Sequence, residues 1–175
     1  MVMNNVISTH SHAVLFEELV DLHGESLMRL AFMYVKNRQV AEDIVQDVFL
    51  RAYEKRNDFK GNSSYKTYLS RITVNRSYDY LRSWTYKNTI LSNKIALVVK
   101  SGRSAESEVL LNSERHVLGH EVIGLPVKYR EVLTLYYYQD FSIDEIAEVL
   151  KCPSSTVKTR LRRARTKLKE RIEVK

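Results

Sequence analysis

The chain of 175 residues is long enough for one or two domains. With 44% hydrophobic and 28% charged residues but only five Gly and two Pro, it is excluded from the disordered and collagen-like classes and reads as a folded, helix-rich protein. A formal charge of +7 favours a polyanionic partner, while a lone Cys152 and no Cys/His cluster at ligand spacing exclude an internal disulfide and argue against a metal or other cofactor.

Residues 1–12 lack the charged and apolar regions of a signal peptide and are expected to form a tail. No apolar run approaches the roughly 20 residues that span a bilayer, so the chain is expected to be soluble and cytoplasmic. Apolar positions then recur at helical spacing from Leu15 to Val35 and from Ala41 to Tyr53, separated by the polar turn Lys36-Asn37-Arg38-Gln39. In the second stretch Ala41, Ile44, Val45, Val48, Phe49 and Ala52 keep the i, i+3, i+4, i+7 spacing of a helix with one buried face. Opposite that stripe stand Asp43, Gln46, Asp47 and Leu50, an acidic face with one apolar residue. Periodicity alone leaves two readings of it open, a docking face for a protein helix and a plain solvated surface.

Asn57 to Ser64 breaks the pattern, and a third long helix is predicted from about Tyr65 to Trp84, so that residues 13–86 make a helical bundle. Phe59, Gly61, Asn62 and Ser63 lie in the polar break, and Arg71, Asn75, Tyr78 and Arg82 share one face of the third helix. Guanidinium groups, an amide and aromatics together suit single-stranded nucleic acid, whose bases stack or enter pockets. A tyrosine-rich core fringed by solvated arginines is the alternative, and Tyr65, Tyr68, Tyr80 and Trp84 read as packing residues.

From residue 87 to 113 Asn, Ser and Lys accumulate around Ser101-Gly102-Arg103-Ser104, a predicted linker with a short helix entering the next domain from about Ser107. In the domain of residues 114–175, Pro126 suits a helix start and Val127 to Tyr138 continues it. Ser142 with Glu145 makes a capping box, flanked by Phe141 and Ile146 as a hydrophobic staple. A turn with Pro153 leads to a last helix on which Val157, Leu161, Ala164 and Leu168 form a narrow apolar stripe. Residues 151–175 hold ten Lys/Arg and two Asp/Glu, 10 − 2 = +8, so the remaining 150 residues are close to neutral.

Two helices joined by a tight turn, the second strongly basic, have the layout of a helix-turn-helix for duplex DNA. Lys158, Thr159, Arg162 and Arg163 are the candidates for base edges, and Ser154, Ser155, Thr156, Arg160 and Arg165 for phosphates. A merely solvated basic helix would set like charges against one another at i, i+4 with no anion to meet them.

Catalytic motifs are missing from the pattern. The five His, at positions 10, 12, 23, 116 and 120, match no nucleophile or metal motif, and Tyr136-Tyr137-Tyr138 reads as a helix end rather than a recombinase nucleophile. The chain is not expected to be an enzyme.

Taken together, these segments resemble the extracytoplasmic-function class of bacterial sigma factors, over nearly the whole chain from about Phe16 to Leu168. Ala41 to Tyr53 is similar to the family's region 2.2, Phe59 to Arg82 to regions 2.3 and 2.4, and Leu125 to Leu168 to region 4. The resemblance implies an all-α protein whose Asp43, Gln46, Asp47 and Leu50 meet the coiled coil of the polymerase beta-prime subunit. It implies capture of an extruded minus-ten base by Phe59, Gly61, Asn62, Ser63 and Asn75, with Arg71, Tyr78 and Arg82 beside them. It further implies minus-thirty-five recognition by the basic helix, contact with the beta flap by the helices before it, and control by an anti-sigma factor. The chain departs from the family's usual residues at Tyr68 (more often Trp), Thr73 (Ala) and Ser154-Ser155 (a Gly before the Thr). An autonomous helix-turn-helix regulator, whose N-terminal bundle senses a ligand or dimerises, is the competing expectation.

Overall fold

The computed structural model describes residues 3–56, 61, 63–94 and 114–173, with side chains described over 16–56, 61, 63–83 and 118–173. Among the described residues the elements are α1 (Met3–Val35), α2 (Arg38–Glu54), α3 (Tyr65–Lys94), α4 (Glu114–Ile123), α5 (Val127–Tyr137), α6 (Ile143–Leu150) and α7 (Ser154–Glu173), with no strand. The protein is all-α, as the periodicity requires.

Local chemistry sets the helix starts. Lys36 turns the chain with a left-handed φ of 56°. Extended Asn37 then caps α2, its side-chain oxygen accepting from the Val40 amide at 3.1 Å. Ser64 does the same for α3, accepting from the Thr67 amide at 3.1 Å. Pro126 occupies the cap of α5 rather than its first turn, where its missing N–H leaves no donor unpaired. Ser142 and Glu145 form the full capping box of α6.

Two long helices overrun their expected ends. Residues 3–12, expected as a tail, belong to α1, and residues 87–94, expected as the start of the linker, belong to α3. Neither stretch contains Gly or Pro, so an established helix gains one hydrogen bond per added residue with nothing to stop it. The rest of the expected linker, residues 95–113, including Ser101 to Ser104 and the short helix from Ser107, lies outside the described residues.

The apolar stripe of α2, Ala41, Ile44, Val45, Val48, Phe49 and Ala52, is buried together with Leu27 and Ala31 of α1 and Leu69 of α3. Thr73, where Ala is usual, is fully buried and its hydroxyl donates to the Leu69 carbonyl at 2.9 Å, so the extra polar atom is satisfied within its own helix. A second core gathers α5, α6 and α7 through Val132, Leu135, Phe141, Ile146, Val157 and Leu161. Leu30 and Tyr34 of α1 and Val74 of α3 belong to this second core. Thus α1 serves both cores, with Leu27 and Ala31 toward α2 and Leu30 and Tyr34 toward α5. Burying each such side chain contributes about 1.5–3 kcal/mol.

Candidate nucleic-acid interface

The turn before α7 is built by a left-handed Lys151, φ 50°, whose amide and that of Cys152 close back on α6 at the Glu148 and Ala147 carbonyls. Pro153 then accepts from the Thr156 and Val157 amides at 2.9 and 3.2 Å, opening α7. Ser154 donates to Asp144 in the first turn of α6 at 2.6 Å, which ties the two helix starts together. The α7 register follows from its stripe, with Val157, Leu161 and Ala164 buried and Leu168 half-buried.

The opposite surface presents Lys158, Thr159, Arg162 and Arg163, all exposed, and among the described residues no carboxylate lies within ion-pair distance of these cations. Ser155, Thr156, Thr159, Arg160 and Arg163 line a concavity of about 340 Å³ with Lys128 and Tyr129 of α5. Hydroxyls, cations and the N-terminal end of a helix meet there, a set suited to a phosphate. Lys128 and Tyr129 were not singled out in the sequence, since Lys-Tyr in a helix's first turn carries no signal until α5 packs across α7.

Two expected phosphate contacts stand elsewhere. Arg160 donates from Nη1 to the buried Glu131 carboxylate at 2.9 Å. Arg165 lies on the other flank of α7, 5.6 Å from the ring centres of both Tyr136 and Tyr137. Those rings meet edge to face at 4.9 Å, which accounts for two of the three consecutive tyrosines as packing at a helix end. On that flank an apolar groove of about 500 Å³ is lined by Leu118, Val122, Leu133, Tyr137, Leu168 and Ile172.

Glu131 accepts from the Tyr34 and Tyr78 hydroxyls at 2.9 and 2.6 Å as well as from Arg160. Burial raises its carboxyl above the ordinary range, opposed by those hydroxyl donors and by Arg160 and Arg130. Burial likewise pushes the Tyr34 and Tyr78 hydroxyls up, so both remain donors at every working pH.

On the N-terminal bundle Asp43, Gln46 and Leu50 are exposed on one face of α2, as their spacing predicts. Asp47 shares the face but is already engaged by Arg51 of its own helix and by Arg76 of α3. On α3, Asn75 and Arg82 are exposed, with Arg82 beside Asp79 at 3.6 Å. Arg71 pairs with Glu148 of α6 at 3.4 Å, and Tyr78 is turned onto Glu131. Gly61 holds a left-handed φ of 68° and Ser63 is half-buried, whereas Phe59 and Asn62 lie outside the described residues. The structure therefore keeps Asn75 and Arg82 on an open face and separates Arg71 and Tyr78 from them.

Among the described residues no three His, Cys, Asp or Glu gather as a metal set, and no helix is long and apolar enough to cross a membrane.

Residues 19–85 match the model of sigma-70 region 2 and residues 117–168 that of sigma-70 region 4. The chain is 31% identical over 165 residues to the ECF RNA polymerase sigma factor SigW of Bacillus subtilis, covering 90% of this chain and 88% of the relative. It is 29% identical over 167 residues to the ECF RNA polymerase sigma-E factor of Escherichia coli, covering 90% and 86%. Among solved structures it is similar to the sigma factor RpoE of Bartonella quintana, crystallised with the anti-sigma factor NepR. That match has a TM-score of 0.71 and 25% identity, covering 91% of this chain and 97% of the other. It shares its fold with CnrH in complex with the cytosolic domain of CnrY, with TM-score 0.68, 24% identity and coverage of 97% and 96%.

Proposed function

This chain belongs to the extracytoplasmic-function RNA polymerase sigma factors, and from that membership we propose how its two surfaces divide the work of an alternative sigma factor that directs transcription initiation. The observation that carries the reading is the pair of opposed helix faces, acidic on α2 and cationic on α7. Region 2, residues 13–86, takes core polymerase through Asp43, Gln46, Asp47 and Leu50 on the beta-prime coiled coil. The same region receives the minus-ten element through Phe59, Gly61, Asn62, Ser63, Arg71, Asn75, Tyr78 and Arg82. Extruding a base costs a few kcal/mol, which stacking and hydrogen bonds in such a pocket offset.

Region 4, residues 114–175, lays α7 into the major groove of the minus-thirty-five element. Lys158, Thr159, Arg162 and Arg163 face base edges there. Ser155, Thr156 and Arg160 hold phosphates, joined by Lys128 and Tyr129 from the same concavity. Ser154 serves chiefly to fix the helix start through Asp144, and Arg165 is better placed to border the apolar groove that the beta flap would fill. Residues 87–113 bridge the two regions. The polymerase supplies the chemistry, the sigma subunit works in the cytoplasm, and an anti-sigma factor is its expected antagonist.

The competing reading, an autonomous DNA-binding regulator, makes the α2 face irrelevant. Pull-down of core polymerase by wild type and by Asp43→Lys separates the two. Capture by wild type and loss with the variant, at unchanged DNA affinity, supports the sigma assignment of this face, whereas no capture by either protein contradicts it.

A further inference from the structure

Regions 2 and 4 touch through side chains that the proposed function needs elsewhere. Arg71 is held by Glu148, Tyr78 by Glu131, and Arg160 by the same Glu131. Tyr34 adds a second hydroxyl to that carboxylate, Arg130 donates to the Tyr34 carbonyl at 3.3 Å, and Gln139 donates to the Ser26 carbonyl at 2.6 Å. Lys66 of α3 also reaches the Gln139 carbonyl. Three of the expected promoter contacts are thus occupied by the junction itself.

The junction is also built to part. Its apolar share rests on Leu30, Tyr34 and Val74 against the region 4 core, but its hydrogen bonds run between charged or hydroxyl groups that water replaces on opening. Arg130 Nε and Gln139 Oε1 are buried there with no hydrogen-bond partner among the described residues, an electrostatic cost borne only by the closed form.

We propose that the free chain restrains itself. The two regions close on one another through a clasp centred on Glu131, which withholds Arg71, Tyr78 and Arg160 from DNA until polymerase or promoter draws the regions apart. This regulation rests on the promoter-binding reading given above. Glu131 acts as a positioning residue, since it links the region 2 tyrosines to an arginine of the DNA-facing helix and touches no DNA itself.

The test uses the full chain in a Cys152→Ser background, with donor and acceptor dyes on Glu54→Cys and Glu170→Cys, two exposed sites on α2 and α7. Efficient energy transfer in the free protein is expected. Tyr34→Phe with Gln139→Ala, a charge-neutral pair outside the DNA-contacting set, lowers it at unchanged helical content. Affinity for a short duplex of arbitrary sequence at low salt rises about three-fold or more, because the competent fraction grows. Glu148→Arg opens the chain and the added Arg71→Glu closes it again, read as energy transfer alone. Weak transfer in the wild-type chain overturns the clasp. Opening by the neutral pair without tighter duplex binding overturns the restraint. Neither readout involves polymerase, so a failure of the sigma assignment in the pull-down is scored separately.

Discussion

α2 and α7 are amphipathic helices of nearly the same design that end in opposite roles. Each buries one apolar stripe, Ala41 to Ala52 in one and Val157 to Ala164 in the other, and each turns the rest of its surface outward. The stripe decides that a helix forms and packs. The sign of the outward charge decides the partner. On α2 the outward carboxylates are partly neutralised already, Asp47 by Arg51 and Arg76, and an exposed Leu50 stands among them. That mixture of acid and apolar surface suits a protein helix, which offers both kinds of contact. On α7, Lys158, Arg162 and Arg163 have no carboxylate beside them among the described residues, so the density of like charge needs an external polyanion.

The comparison breaks most decisively at α2. Asp43→Lys, exposed and outside the core, is expected to lower affinity for core polymerase by about 100-fold or more while leaving duplex binding and thermal stability unchanged. Asp47→Lys is the less clean probe, since it also sets a cation against Arg51 and Arg76; binding curves and thermal melts of the two variants separate the effects. An unaltered polymerase affinity for Asp43→Lys would remove α2 from the interface.

At α7 the matching change is Arg163→Ala. A bidentate contact to guanine supplies about 1–3 kcal/mol of discrimination, so selectivity at the upstream element is expected to fall by roughly 10- to 100-fold. Asn75→Ala is expected to act at the downstream element instead. Footprints of both variants on one promoter check the assignment, and a loss of affinity for every sequence equally would make Arg163 a phosphate contact.

Ser142→Ala probes the support of α7 rather than its contacts. Loss of the capping box is expected to destabilise region 4 by about 1 kcal/mol, read as a lower midpoint in urea with unchanged selectivity among sequences. A smaller gain is expected from Lys151→Gly. The turn requires left-handed backbone, which a side chain opposes by about 1 kcal/mol and glycine does not, so the melting temperature should rise slightly.

Glu131 gives a pH signature confined to the junction. Its carboxyl titrates above the unfolded value of 4.5 because burial disfavours the charge, so its contribution to stability is fully present below that value and is lost as pH rises through the folded pKa. The stability difference between wild type and Glu131→Gln is therefore expected to favour wild type most at acid pH and to shrink toward neutrality, measured by urea unfolding at a series of pH values. The opposite slope would mean that the hydroxyl and arginine donors outweigh burial.

The reach of sequence reasoning differs between these same regions. The α2 stripe and the α6 capping box were legible because each is a local pattern within a dozen residues, and the structure buries or bonds those residues as the spacing demands. The clasp was not legible, for its partners Tyr34 and Glu131 are 97 positions apart. α5 hides its role further, since Tyr129 to Leu135 are buried without a break and the helix has no polar face for periodicity to detect. Arg130 and Glu131 look like surface residues in the sequence and become interior ones only when α1 and α3 cover them. The same long-range packing moved Tyr78, Arg71 and Arg160 from an expected open face to the junction, and brought Lys128 and Tyr129 to the concavity beside α7.

The central claim, that this chain directs polymerase through two separated promoter contacts, is tested most directly by transcription with purified core enzyme on genomic fragments that core alone ignores. The account predicts new transcripts with fixed start sites, lost with Asp43→Lys and redistributed with Arg163→Ala. Duplex binding by the chain with no start-specific transcripts would contradict it and leave only the helix-turn-helix standing.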